Sequence, residues 1–203
     1  RDGFAHEGGA HGVRMRGEDI HHTISLFLEE AYRGCEHQIR LLVPEIDESG
    51  ALSRREKTLN IKIPPGVTPG QRIRLAGQGG PGIGGAAAGD LFLEVQLAPH
   101  PYFSVDGRNI LLTLPVASWE AALGATVEVP TLGGKVKLKI PRGSSSGDRL
   151  RIKGKGLPGK RAGDQLVVLE ITLPRHHGSV AESLYRQIAV QESTFNPRSA
   201  WED

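Results

Sequence analysis

The sequence predicts a mainly β protein: two tandem homologous β-sandwich-like domains, each with a short helix, followed by a C-terminal helix. The first observation is a duplication, because the stretch from residue 61 to 79 is repeated from 138 to 156. The second is apolar alternation with period two around each copy, which is typical of half-buried strands. The third is an apolar spacing of 3.6 residues over 180–192, after the capping box Ser179-x-x-Glu182.

Each copy of the duplicated stretch predicts a strand, a glycine turn and a second strand, which together form a hairpin. A repeat of 77 positions indicates two whole domains, because solenoid repeats are only about 20–50 residues long. The residues that recur at this spacing are Pro64, Gly66, Gly70, Arg72, Arg74, Gly77 and Gly79.

The other elements follow from periodicity and turn residues. In the first half, strands are predicted at 20–28, 39–43, 57–63 and 91–97, with a helical turn at 29–33. In the second half, strands are predicted at 110–114, 127–129, 136–140 and 166–173, with a short helix at 119–123. The predicted domains are a flexible Gly-rich linker (1–18), domain I (19–98), domain II (99–174) and a helical segment (175–203).

Composition narrows the class of protein. The single cysteine, Cys35, excludes an internal disulfide and a Cys-x-x-Cys zinc site, and it indicates a reducing compartment. No apolar run is long enough to span a bilayer. We therefore expect a cytoplasmic location without membrane association, and no metal or cofactor. The start at Arg1 suggests a piece of a longer protein.

Two motifs match the spacing of known nucleotide-binding and hydrolase signatures but lack the helix that those signatures require. Gly77-x-Gly79-x-x-Gly82 has the spacing of a dinucleotide-binding loop, and Gly143-Ser144-Ser145-Ser146-Gly147 has that of a hydrolase elbow. Both signatures require a helix directly behind them, whereas loop or strand follows here. We predict no catalytic residues and no enzyme.

Basic residues concentrate in the second half, where 135–161 holds ten Lys and Arg against one acid. They serve either as a soluble outer sheet face or as a surface that contacts phosphate backbones. The candidate DNA-binding residues are Lys135, Lys137, Lys139, Arg149, Arg151, Lys153 and Lys155.

The chain resembles the C-terminal half of J-domain co-chaperones, the DnaJ family, and most closely its curved-DNA-binding members, which lack a zinc module. The resemblance covers 19–203. Its carriers are 58–66, 70–75, His100-Pro101-x-Phe103, Trp119-Glu120-Ala121-Ala122-Leu123-Gly124, 129–132 and Phe195-x-Pro197-Arg198-x-x-Trp201.

The resemblance implies a non-enzymatic protein that holds unfolded polypeptides and delivers them to a DnaK-type chaperone. An extended client segment would lie along residues 36–43 of domain I. Ile24, Ile39, Leu41 and Phe103 would line an apolar pocket, with His22 and His37 at its rim. From pattern alone, Ile24, Ile39 and Leu41 would instead be ordinary core residues.

Three further expectations follow. No His-Pro-Asp motif of a J domain is present, so this chain should not stimulate an ATPase by itself. DNA binding in the nucleoid is the alternative function. The C-terminal helix, with Leu184, Tyr185 and Ile188 on its apolar face, either folds back on domain II or pairs with a second chain as a homodimer.

Overall fold

The computed structural model describes residues 14–46, 52–175 and 178–199. Most of the predicted linker, a turn predicted at 47–50, the pair His176-His177 and Trp201 lie outside this part of the chain. The first half contains β1 (Ile20–Leu26), α1 (Leu28–Arg33), β2 (Cys35–Ile46), β3 (Leu52–Ile63), β4 (Arg72–Leu75) and β5 (Leu91–Leu97). The second half contains β6 (Phe103–Asp106), β7 (Asn109–Ala117), α2 (Ser118–Leu123), β8 (Ala125–Thr131), β9 (Gly134–Ile140), β10 (Arg149–Ile152) and β11 (Gln165–Thr172), and α3 (Ser179–Gln191) follows.

The two halves repeat one strand arrangement, which confirms the predicted mainly β fold. The first half has a three-stranded sheet in the order β1-β5-β4 and a separate pair β2-β3. The second half has β7-β11-β10 in the same relation, with β6 added beside β7, and a separate pair β8-β9. The pair β1-β5 in the first half and the pair β7-β11 in the second half run parallel. A parallel pair requires a long crossover, which the short helix and the separate strand pair (β2-β3 or β8-β9) supply in each half.

Each half has its own apolar core between its sheets. The first contains Ile24, Leu26, Ile39, Leu41, Ile61, Leu93 and Val95, and the second contains Ile110, Leu112, Val129, Ile140, Leu157, Val167 and Leu169. Leu28 of α1 belongs to the second core, and Tyr32 of α1 packs against it. The first half therefore contributes apolar side chains to the core of the second.

The predicted hairpin within each copy is wrong. β3 pairs with β2, whereas β4 pairs with β5, so the glycine turn carries the chain from one sheet to the other. Two backbone bonds hold this crossover, because Gly66 N–H donates to Ala31 O at 2.7 Å and Gly70 N–H donates to Val95 O at 2.8 Å. Period-two alternation identifies strands but not their partners, since a strand alternates in the same way in either sheet.

The chain before β1 is held against the first half as far as the structure describes it. Met15 and Ile83 form an isolated antiparallel bridge, and Gly17 N–H donates to Ala87 O at 3.0 Å. The loop between β4 and β5 is therefore paired with the segment that enters β1.

α3 begins at Ser179 with Gly178 as its N-cap, so Ser179 makes no capping bond and the predicted capping box is wrong. No residue of α3 is buried. The helix therefore does not fold back onto the described part of the second half. None of the helices in the described ranges has the length and apolar content needed to cross a bilayer.

Candidate functional site: the free edge of β2 and the basic faces

The outer edge of β2 is the candidate peptide-binding edge. β2 pairs with β3 over twelve residues, from Cys35 opposite Ile63 to Ile46 opposite Leu52. Within the strand pairings of the described ranges, β2 has no second neighbour. β3 also has one neighbour, but its outer half carries the consecutive charged residues 54–57. Because charged side chains protect a sheet edge from further pairing, β2 offers the more accessible edge.

Side chains alternate along β2 between the core and solvent. Ile39, Leu41 and Val43 face the core, whereas Glu36, Gln38, Arg40 and Leu42 are exposed. Leu42 leaves 63% of its surface accessible and projects on the same face as the exposed Arg40. The outer face of β2 thus combines a free backbone edge with one exposed apolar side chain.

The four predicted pocket residues do not line one open pocket in this structure. Ile24, Ile39 and Leu41 are at most 5% exposed and belong to the first core, whereas Phe103 is 9% exposed and belongs to the second. The physical reason is strand alternation, because it directs these side chains between the two sheets of their half. Their contact with a client stays a prediction.

The two predicted rim histidines have different surroundings. His22 is half-buried and lines a small depression of about 90 Å³ together with Thr23, Arg72 and Phe92. The ring of His21 stacks on Phe92 with 5.2 Å between centroids. His37 is also half-buried and lies beside Glu30 and Cys35. The described contacts therefore do not place His22 and His37 at one rim.

A larger depression of about 390 Å³ lies at the junction of the two halves, and sequence reasoning did not identify it. Its lining includes Leu28, Pro69, Leu97, Pro99, His100 and Phe103. His100 Nδ1 accepts the N–H groups of Tyr102 and Phe103, both at 3.1 Å, while its Nε2 lies 3.2 Å from Glu29 Oε1. Because Nδ1 is an acceptor, the ring proton lies on Nε2, and this N–H donates a hydrogen bond to Glu29. His100 thereby joins the segment between β5 and β6 to α1.

The basic candidates belong to two sheets. Lys135, Lys137 and Lys139 are exposed on β9, as predicted, while Val136 and Leu138 pack against the second core. Arg149 and Arg151 are exposed on β10, whose Leu150 and Ile152 pack against the same core. Lys153 is exposed and Lys155 is half-buried in the following turn. β9 and β10 lie in different sheets, so the seven residues do not form one continuous face.

Two of these cations have acidic partners. Lys135 Nζ lies 3.4 Å from Glu128 Oε2, and Arg151 Nη1 lies 3.4 Å from Asp164 Oδ2. Ion pairs at exposed positions contribute little energy, so both cations can exchange their partner for another anion.

A cluster of metal-ligating groups lies where α1 leads into β2. One ligand atom each from Glu30, Cys35 and His37 lie within 4.8 Å of one another, and all three residues are half-buried. Burial and the nearby Glu30 carboxylate raise the pKa of the Cys35 thiol. Sequence reasoning missed this cluster. The available signal was the spacing of Cys35 and His37, which puts both side chains on one face of a strand.

Comparisons with known proteins identify a matching family and similar proteins. Residues 20–174 match the family described as "DnaJ C terminal domain". The chain is 49% identical over 186 residues to "Curved DNA-binding protein" of Coxiella burnetii (strain Dugway 5J108-111), covering 91% of this chain and 59% of the relative. It is 47% identical over 189 residues to the protein of the same name from Serratia proteamaculans (strain 568), covering 92% and 61%. The chain thus spans about three fifths of the length of these curated relatives.

Proposed function

Because the chain belongs to the DnaJ C-terminal domain family, we propose that it holds extended apolar segments of unfolded polypeptides at the free edge of β2 and delivers them to a DnaK-type chaperone. The observation that carries this proposal is the twelve-residue strand β2, which is paired on one side only among the residues that the structure describes. The mechanism is reversible association without catalysis.

Strand addition explains why such a site would accept many sequences. A client strand beside β2 forms backbone hydrogen bonds that every residue except proline can make. On the outer face, client side chains lie beside Gln38, Arg40 and Leu42. An apolar client residue beside Leu42 removes apolar surface from water, and each cross-strand pair contributes about 0.2–1 kcal/mol. Affinity thus arises from the backbone, and the preference for apolar segments arises from Leu42.

The proposal is tested with N-methylated peptides. In an added strand, alternate residues direct their N–H groups toward β2, and the others direct them away. An apolar peptide is made in two forms, each carrying two N-methyl groups of one parity. Fluorescence anisotropy should show one form binding roughly ten- to a hundredfold more weakly, since each lost hydrogen bond costs about 1 kcal/mol. The other form should bind as the parent peptide does.

The two methylated forms have the same composition and hydrophobicity, so each is the control for the other. Equal affinities would exclude strand addition and leave nonspecific apolar contact as the explanation for any binding. A readout of aggregation alone would not make this distinction.

A second candidate function is supported by a separate observation. The outer face of β9 carries three exposed lysines in a row, and relatives at 47–49% identity are named curved DNA-binding proteins. We propose that Lys135, Lys137 and Lys139 contact the phosphate backbone of DNA, where each contact releases a bound counterion. The strand presents no aromatic side chain for base stacking, so this contact would be independent of sequence.

The salt dependence of DNA binding tests this candidate. Replacing the three lysines of β9 by Gln should lower the slope of log affinity against log salt by roughly 2–3, because each phosphate contact contributes about 0.9. The control replaces Arg149 and Lys153, which belong to the other sheet and the turn after it. Equal slopes for the two variants would remove β9 as the DNA-binding face, and apolar peptide binding should be unchanged in both.

A further inference from the structure

The side chains of Glu30, Cys35 and His37 converge at the start of β2, where neither proposed function uses them together. Gly34 makes this possible, because its φ of 77° turns the chain sharply from α1 into β2. Cys35 and His37 then project from one face of the strand, and Glu30 reaches the same place from α1. Their ligand atoms lie within 4.8 Å of one another.

The Glu30 carboxylate is oriented before any ligand arrives. Its Oε2 accepts the backbone N–H of Phe27 at 2.8 Å, which fixes the carboxylate against the first turn of α1. A hydrogen bond of this kind orients a ligating group and reduces the entropy lost on binding. The remaining oxygen is the one that can face Cys35 and His37.

The chemical types of the three ligand groups indicate which metal ion would bind. A thiolate, an imidazole and a carboxylate together suit zinc, whereas magnesium and calcium prefer oxygen donors alone. Zinc binds sulfur at about 2.3 Å and nitrogen or oxygen at about 2.0–2.2 Å, so tetrahedral ligand atoms lie roughly 3.3–3.8 Å apart. Rotations that move the side chains by about an ångström would bring the three groups to this spacing. Their partial exposure leaves room for water as the fourth ligand.

A comparison of the two halves shows which of these three residues the turn from helix to strand requires. Glu120 occupies the place of Glu30 in the second half, and it accepts the N–H of Ala117 at 2.8 Å in the same way. Gly124 repeats the sharp turn with a φ of 80°. The positions equivalent to Cys35 and His37, however, are Ala125 and Val127. The same helix-to-strand turn therefore forms without a thiol or an imidazole, so the fold does not explain these two residues.

We propose that Glu30, Cys35 and His37 bind one zinc ion, with a water molecule completing a tetrahedral site. The site belongs to the first half alone. It is tested by metal binding rather than by client or DNA binding.

Cobalt(II) is the probe, because its absorption reports both a thiolate ligand and tetrahedral geometry. Cys35 is the only cysteine of the chain, so a thiolate-to-cobalt charge-transfer band can arise from this residue alone. The full chain, kept reduced with a non-chelating reagent, should develop this band and intense visible d–d bands at one equivalent of cobalt. Added zinc should remove both.

The second half supplies the test variants. His37→Val introduces the residue that the equivalent strand already carries, and Glu30→Gln preserves an acceptor for the Phe27 N–H. Each should weaken cobalt binding about tenfold or more, with an unchanged far-ultraviolet circular dichroism spectrum. His22→Asn, a half-buried histidine on β1, is the matched control and should bind cobalt as the wild type does. Absence of the thiolate band, or equal binding by His37→Val or Glu30→Gln, would overturn the proposal.

Discussion

At the scale of single residues, two of the duplicated positions, Arg74 and Gly77, are explained by one carboxylate that each half contains. The Asp90 side chain, 7% exposed, accepts Arg74 Nη2 at 2.7 Å, Arg16 Nη2 at 3.0 Å and the Gly77 N–H at 2.9 Å. In the second half, Asp164 accepts the Gly154 N–H at 2.7 Å and lies 3.4 Å from Arg151. Gly77, the first glycine of the motif that resembles a nucleotide-binding loop, thus donates to an internal carboxylate instead of a phosphate, and Gly154 does the same in the second half.

Asp90 should make stability depend on pH in the acid range. The hydrogen bond from Gly77, together with Arg74 and Arg16, holds the pKa of the Asp90 carboxyl below its usual range, against the opposing effect of burial. A lowered carboxyl pKa stabilises the folded state fully above the unfolded-state pKa of about 3.9, and this contribution is lost as pH falls through the folded-state pKa. Asp90→Asn should therefore melt lower than wild type at pH 7, with a difference that shrinks below about pH 4.

The control for this prediction is Glu94→Gln on β5, an exposed carboxylate close to Asp90 in sequence. Thermal melting of the three proteins from pH 7 to pH 2.5 provides the measurement. A constant difference between wild type and Asp90→Asn across this range would show that the carboxylate acts through shape alone and not through its charge.

At the scale of elements, periodicity predicted most strands and all three helices, but it did not predict partners. Strand β5 was predicted with its observed bounds, and α1, α2 and α3 each begin within one residue of the prediction. The hairpin between β3 and β4 was wrong because alternation shows only that one face is buried and not which sheet buries it.

The sequence likewise predicted part of the candidate site and not the rest. The resemblance predicts that a client segment lies along residues 36–43 of β2, and this stays a prediction. Alternation alone indicates core positions for Ile24, Ile39 and Leu41, and all three are buried. The exposure of Leu42 could not be predicted, because an apolar residue between Leu41 and Val43 looks like part of a buried run. The approach of Glu30 to Cys35 and His37 depends on the turn at Gly34. The sequence alone does not reveal how close this turn brings the three side chains.

Leu42→Asp should weaken client binding without unfolding the protein. The side chain is exposed, so the effect on folding should stay within about 0.5 kcal/mol. Loss of one apolar cross-strand contact should lower the affinity for an apolar peptide by up to roughly fivefold. Leu173→Asp is the control, because Leu173 has the same 63% exposure and follows β11, far along the chain from β2.

Peptide anisotropy and denaturant melts of both variants test this expectation, and equal affinities for the two would remove Leu42 from the client site. Ile39→Asp would not serve, because it places a charge in a core position with 5% exposure and would destabilise the first half itself.

The same scale includes α3, which we expect to form the dimer contact. Leu184 and Ile188 are 55% and 56% exposed one turn apart, so they form an apolar stripe that the described part of the chain leaves uncovered. Leu184→Asp with Ile188→Asp should shift the protein toward monomer in sedimentation equilibrium, with little change in monomer melting. Val190→Asp, 70% exposed outside that stripe, is the matched control. A wild type that sediments as a monomer at high concentration would contradict the expectation.

At the scale of the whole molecule, the two halves are joined by side-chain contacts as well as by the segment between β5 and β6. Leu28 lies in the core of the second half, and Arg108 Nη1 donates to Pro158 O at 2.6 Å and to Gly66 O at 3.3 Å. A client on β2 and a nucleic acid on β9 would therefore bind to surfaces whose relative position is fixed by apolar and polar contacts together. This junction also surrounds the depression that contains His100 and Phe103.

The junction is tested by a pair of glycine substitutions in the turn between β3 and β4. Gly66 and Gly70 have φ values of 81° and 77°, so alanine at either position is strained by about 1–2 kcal/mol. A Cβ on Gly66 would overlap the carbonyl oxygen of Pro158 in the other half, whereas a Cβ on Gly70 meets no atom within 4 Å. Gly66→Ala should therefore lower the free energy of unfolding more than Gly70→Ala does. The difference between the two, measured by urea denaturation, isolates the cost of separating the halves at this point; equal losses would mean that the contact between Gly66 and Pro158 yields without cost and that the halves are coupled elsewhere.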